Sequence, residues 1–418
     1  MQRQYCDAVL GSHVSPACRS LAAPHIRLHG TACLAACLAN LLTFACQKAN
    51  FHYTGKIPKT FNVKRFQSLY ERNPQFMLIS ILQTEDQWAS LADEWNALLK
   101  DSATDVPFLR HEYLWAWWQH RGGGEWPQDS RLHIITARGE NDELIGIAPL
   151  FQTTNRDGVP VLLFLGSVEI SDFLDFIVRE SNLPAFIAEM LNYLAGPDAP
   201  EWHCLDLFNL LEESPSLTAL QAAADARGLQ FKQARLQPAP LITLPDNYDA
   251  FFEMLDGKDR QELRRKLRNA GGFFMPVTSY TVQDSETLDG EIDAMISLMV
   301  QDEDKAKFMT PAMDQQMRAI FRAAWEAGFL RLTFLTVGDQ KAAGVVGFDY
   351  NNRIWGYNGG MDLKFERLAP GVVIMSMDLE DVIGRGYEAY DLMRGSEEYK
   401  YRFGAVDRWV IRATISRN

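Results

Sequence analysis

The chain has 418 residues, 47% of them hydrophobic and 23% charged, the composition of a globular protein long enough for two domains. Its formal net charge of -13 argues against a general nucleic-acid or DNA binder, because phosphate neutralisation needs a basic surface. After residue 76 one cysteine remains, Cys204, which excludes a disulfide framework and suits a reducing compartment.

The first 76 residues stand apart, with nine basic against two acidic side chains, five of the six cysteines and four of the eight histidines. The run "TACLAACLANLLTFAC" spans Thr31 to Cys46, 16 residues. That is short for a membrane span, though long enough for the apolar part of a signal segment. No CxxC spacing occurs to support a metal site. We read residues 1–76 as an extension outside the fold, whose natural start is Met77; a signal or anchor is the alternative.

From Met77 onward, helical and alternating patterns succeed one another, as in an α/β or α+β protein, and no integral membrane span is expected in 77–418. "MLISILQ" reads as a strand and "TEDQWASLADEWNALLK" as a helix capped by Thr84. "RLHIITARGENDELIGIAPLFQ" reads as two strands about a turn, followed by strands "VPVLLFLGS" and "FLDFIV". A helix "LPAFIAEMLNYLAG", a strand "EWHCLDLFNL" and a helix "SPSLTALQAAADARG" close the first half. The second half repeats this order. Three strands in "FLRLTFLTVGDQKAAGVVGFDYNNRIWGYNGG" precede a helix "PGVVIMSMDLEDVIGRG" and a strand "YEAYDLM". One fold used twice follows, with modules 77–245 and 246–418.

The copies diverge after their last strands: Asp206 precedes "LFNLLEES", whereas Asp391 precedes "LMRGSEEYKYR". Ligand groups gather beyond the carboxyl ends of strands in such proteins, which draws attention to Asp391, Arg394, Glu398, Tyr399 and Lys400. Asp391 reads equally as an ion-pair partner of Arg394, and the Glu397, Glu398 and Lys400 group as a helical salt bridge. In "RLAPGVV" a Gly/Pro turn leads into a helix whose N–H groups at Gly371, Val372 and Val373 face outward, a start that attracts anions. "GKDRQELRRKLRN", Gly257 to Asn269, places Arg260, Arg264 and Arg268 in one stripe, either a solvated face or an anion clamp. No GxGxxG, P-loop, GxSxG or HExxH pattern occurs.

Together "DRQELRRKLRN", "GFLRLTFL", "GYNGGMDLKFERLAPGVV" and "GYEAYDLMRGSEEYKYRFGA" resemble the GNAT-fold acetyltransferases of the CelD-like group, associated with cellulose and exopolysaccharide biosynthesis. That group is distantly related to the Fem-type aminoacyltransferases. The resemblance covers about Met77 to Ser416. It implies tandem GNAT modules, the first degenerate, and acyl transfer from acetyl-CoA or a longer acyl-CoA to an amine, with no metal. The family's pyrophosphate motif, R/Q-x-x-G-x-G/A, falls on Arg367, with Pro370 and Val372 in place of its glycines.

On this reading Arg367, Gly371, Val372 and Val373 hold the cofactor, and backbone N–H groups near Tyr357, Asn358 and Gly359 polarise the thioester carbonyl. Glu398 or Asp391 accepts the amine proton and Tyr399 protonates the thiolate, while Arg264, Arg394 and Lys400 hold anions. The expected protein is a cytoplasmic N-acyltransferase acting on an amino sugar or polysaccharide precursor. The alternatives are a Fem-like transferase using aminoacyl-tRNA, or an inactive scaffold in a polysaccharide-synthase assembly.

Overall fold

The computed structural model describes residues 77–155 and 158–417. The reading of residues 1–76 lies outside the described residues. Among the latter, no helix is long and apolar enough to cross a membrane, and no cluster of His, Cys, Asp or Glu forms a metal site.

The first half opens with β1 (Leu78–Leu82) and two short helices, α1 (Glu85–Ala89) and α2 (Ala92–Lys100). Thr84 caps α1 in a capping box with Gln87. The single helix expected here breaks at Ser90 and Leu91. Helix α3 (His111–Gly124) follows.

The expected strand pair is split twice. β2 (Arg131–Leu132) and β3 (Ile134–Arg138) flank His133, and β4 (Leu144–Ala148) and β5 (Leu150–Thr154) flank Pro149. Proline cannot donate to a ladder, so the chain changes sheets there. β1, β3, β4 and β7 (Ile177–Val178) form a four-stranded sheet. Most of "FLDFIV" is loop, because Asp175 turns inward to accept from Thr104 and Ser214.

The rest of the first half supplies β6 (Pro160–Phe164), α4 (Leu183–Ala195), β8 (Cys204–Leu211), α5 (Pro215–Asp225) and β9 (Gln230–Pro238). The linker strand β10 (Leu241–Thr243) leads to α6 (Tyr248–Met254) and α7 (Gly257–Gly271). In the second half β11 (Val277–Thr281) precedes helices α8 (Leu288–Met299), α9 (Glu303–Phe308) and α10 (Pro311–Glu326). Then come β12 (Leu330–Val337), β13 (Gln340–Tyr350), β14 (Arg353–Met361), α11 (Pro370–Gly384), β15 (Ala389–Asp391), α12 (Glu398–Arg402) and β16 (Trp409–Ser416).

Two six-stranded sheets result, in the orders β2-β5-β6-β8-β16-β9 and β10-β15-β14-β13-β12-β11. The halves therefore exchange strands across the expected division at 245/246. The last strand, β16, lies between β8 and β9 of the first half, and β10 edges the sheet of the second. Ion pairs bind the exchange, Arg412 to Asp206 at 2.7 Å and Arg408 to Asp391 at 2.5 Å. One apolar core runs through both halves, with Phe108 edge-on to Phe348 and Phe173 edge-on to Trp355. Each fully buried large side chain in it contributes about 1.5–3 kcal/mol. The architecture is mixed α/β, with sheets flanked by helices, as expected.

Candidate active site

The site begins where β14 and β15 part. They run parallel and pair only from Arg353 with Ala389 to Trp355 with Asp391. The β13–β14 ladder shifts register between Val346 and Phe348, so Gly356 and Tyr357 fall in an irregular stretch. Beyond it, β14 stays with β13 while the chain after β15 turns away, so the two strands fork.

In the first half the equivalent strands, β6 and β8, pair only at Val161–Leu162 with Cys204–Leu205. There the space is taken by the half's own loop, whose Leu174 N–H donates to the Asn209 carbonyl. In the second half the first half's loop also reaches both sides of the gap, Tyr357 bonding the Ile170 carbonyl and Arg394 bonding Asp172.

Helix α11 packs against β13 and β14. Ala369 takes the left-handed conformation at its N-cap, with φ 50°. Its carbonyl accepts from both Val372 and Val373 N–H, so of the three N–H groups expected to be free only that of Gly371 has no partner among the described residues. A Cβ built on Gly371 meets nothing within 4 Å, so the approach to that N–H is open.

Arg367, exposed on the preceding turn, has no ion-pair partner among the described residues. Helix α7 packs alongside: Leu267 lies against the cluster of Leu368, Val373 and Ile374, and Leu263 against Met375 and Leu379. Its arginines are partly committed. Arg260 donates to the Glu253 and Leu255 carbonyls, and Arg264 stacks over Phe252 at 5.0 Å. Arg264 thus braces α6 against α7. A narrow groove between α7, α11 and α12 is lined by Leu263, Lys266, Val372 and Tyr399.

The charged stretch after β15 is mostly internal structure. Asp391 is fully buried, bonded to Arg408, near Arg353 at 3.8 Å, and accepting from Met393 N–H at 3.1 Å. Burial raises its pKa although both arginines oppose the shift. Its partner is not Arg394, which crosses to the first half and binds Asp172 at 2.8 Å, Asn209 and the carbonyls of Val168 and Glu169. Lys400 is 2% exposed, and its ammonium donates to the carbonyls of Met393, Arg394 and Gly395. Arg394 and Lys400 are thereby occupied in shaping the turn and have no free face for a substrate anion. Glu398 points to solvent and pairs with Arg402 at 2.7 Å.

Glu397 and Tyr399 face outward as well. Glu397 pairs with Lys400 at 3.0 Å and lends its field to Tyr399 and to Lys305. Tyr399 is 47% exposed, and burial of its hydroxyl beside Glu397 pushes its pKa up to about 12, so it is a neutral proton donor at ordinary pH.

On the β14 side, Tyr357 is held by its hydroxyl, which donates to the Ile170 carbonyl at 2.9 Å. Asn358 Oδ1 accepts from Gly359 N–H and from Lys305 Nζ, each at 2.9 Å. Gly360 has no room for a Cβ, which would lie 2.4 Å from the backbone of Leu298 and Met299, and this brings the end of α8 over β14. Lys305 was given no role by sequence: in "QDEDKAKF" it has the look of a solvated charge. Glu397 was seen in its run, but the role went to its neighbour.

A model for the acetyltransferase (GNAT) domain matches residues 257–401. No curated protein matches the sequence. The fold is similar to the crystal structure of FemX, at 13% identity, covering 79% of this chain and 96% of that one, with a TM-score of 0.55. It is also similar to a protein of unknown function from Bacteroides thetaiotaomicron VPI-5482, at 12% identity, 81% and 100% coverage and a TM-score of 0.52. The second half thus carries a GNAT acetyltransferase domain, and the protein is an acyltransferase.

Proposed function

We propose that this acyltransferase moves an acetyl or longer acyl group from coenzyme A to an amine. The observation that carries the reading is the pairing of the β14/β15 fork with an accessible helix start at Gly371. The residues fit such a co-substrate. Gly371 N–H and the start of α11 attract its pyrophosphate, the dipole contributing about 0.3–1 kcal/mol per charge, and unpaired Arg367 stands beside them. When bound, acyl-CoA supplies the activated carbonyl.

The chain's own groups do the rest. Backbone N–H groups of β14 around Tyr357 and Asn358 polarise the carbonyl, that of Gly359 being taken by Asn358 Oδ1. Tyr399 protonates the departing sulfur, and Glu397 takes the proton of the incoming amine. Glu397 replaces Glu398 and Asp391 in this role, since the first of those faces solvent and the second is sealed between arginines. Val372 lines the groove and Val373 packs in the core, and neither donates to the co-substrate because both N–H groups bond the Ala369 carbonyl.

An amino sugar or polysaccharide precursor is the proposed acceptor, on the resemblance to the CelD-like group, and the cytoplasm is the compartment that holds acyl-CoA. Likeness in fold to FemX favours a second reading, a Fem-like transfer from aminoacyl-tRNA with α7 meeting the RNA. Thiol release from acetyl-CoA in the presence of glucosamine and related amines tests the first. Transfer that needs charged tRNA and is abolished by ribonuclease would replace it with the second.

A further inference from the structure

Short helix α9 holds a lysine in the fork. Asp302 caps this helix, accepting from the N–H groups of Asp304 and Lys305. The Lys305 side chain then reaches β14, where its amine donates to Asn358 Oδ1 at 2.9 Å and to the Gly359 carbonyl at 2.5 Å. Gly359 N–H donates to that same Asn358 oxygen. The amine therefore stands within one peptide unit of the N–H groups to which the acyl-CoA reading assigns the thioester carbonyl. Burial also lowers its pKa below the ordinary lysine value, against the fields of Asp302 and Glu397, which raises the fraction present as free amine. A neutral amine beside a polarised carbonyl is the arrangement that acyl transfer needs from its acceptor.

We propose that Lys305 is itself an acyl acceptor, N-acylated by the thioester bound in the β14/β15 fork. The inference rests on the acyl-CoA reading and goes beyond it, since no external acceptor takes part. The ammonium first gives a proton to water. The amine nitrogen then bonds to the carbonyl carbon, and the carbon–sulfur bond breaks with its electron pair on sulfur. The nitrogen's surplus proton passes to Glu397, and the thiolate takes one from Tyr399, which solvent restores. The products are an amide at Lys305 and free coenzyme A.

The test uses the full chain, deuterium-labelled acetyl-CoA and peptide mass spectrometry over time, with binding followed in parallel by calorimetry. Lys307 on the same helix and Lys364, whose side chains are 72% and 79% exposed, serve as internal controls for uncatalysed acetylation. The expected result is label on Lys305 at least ~10-fold faster than on either control, since positioned acceptors gain orders of magnitude. Heat-denatured protein should lose that preference, and Lys305→Arg should lose the rapid addition. Equal labelling of all three lysines overturns the proposal. Binding of acetyl-CoA with Lys305 unlabelled overturns it while leaving the acyl-CoA reading standing. No binding at all removes both.

Discussion

Lys400 illustrates how one charged side chain is turned into architecture. Its stem is buried and its ammonium answers three carbonyls that the turn after β15 leaves without strand partners. Lys400→Met keeps the stem and orphans those carbonyls. Chemical denaturation should find it destabilised by about 2–4 kcal/mol; a loss under about 0.5 kcal/mol would mean that water answers them equally well. Tyr399 is the contrasting case, exposed and free of structural bonds. Tyr399→Phe should lower kcat about 100-fold at unchanged stability and acyl-CoA affinity, the scale of a lost proton donor. Because its pKa lies near 12, no alkaline fall in rate below about pH 11 should trace to it. His133 makes a stability prediction. Burial pulls its pKa from 6.5 to about 4, so the unfolded chain binds the proton more readily. Its contribution is complete above pH 6.5 and is lost as pH falls toward 4. Denaturant midpoints at pH 7 and pH 5 should differ more in the wild type than in His133→Gln.

At the scale of elements, strands and the helix that frames the site were legible because their signals are local. "GVVIMSMDLEDVI" has a helical apolar face, and "LRLTFLTV" through "RIWGYNGG" alternate between two turns. What sequence did not reveal is how those elements part. The fork depends on a ladder of three residue pairs and on the irregularity at Gly356–Tyr357, and neither leaves a periodic trace. The charges of "RGSEEYKYR" were visible, but their partners were not. Asp172 lies 222 residues before Arg394, and the carbonyls that bind Lys400 are backbone, invisible to composition. Lys305 was missed for the same reason, its partner being a strand carbonyl 54 positions away.

The described residues form one compact unit despite their internal repeat. β16 closes the first half's sheet and β10 edges the second's, so neither half holds its own sheet complete. Sequence found the repeat, since the copies share element order, yet it placed a cut at 245/246 that the strands cross. Exchange of strands has no signature in periodicity; it follows from which edges remain unpaired when both halves fold together. Fragment 246–418 alone should therefore expose the edge of β16 and the face of Phe348 and Trp355, and should fail to give a sharp thermal transition. The full chain's two halves should unfold in a single transition by calorimetry and fluorescence alike.

On the proposed function, the Gly371 helix start receives the co-substrate. Titration calorimetry of acetyl-CoA into the full chain, against Gly371→Trp, tests it most directly. Open space around the Gly371 Cβ predicts that the variant folds normally, with an unchanged circular dichroism spectrum. Saturable binding is expected for the wild type and none for that variant. Equal binding by both proteins, or by neither while both are folded, would contradict it.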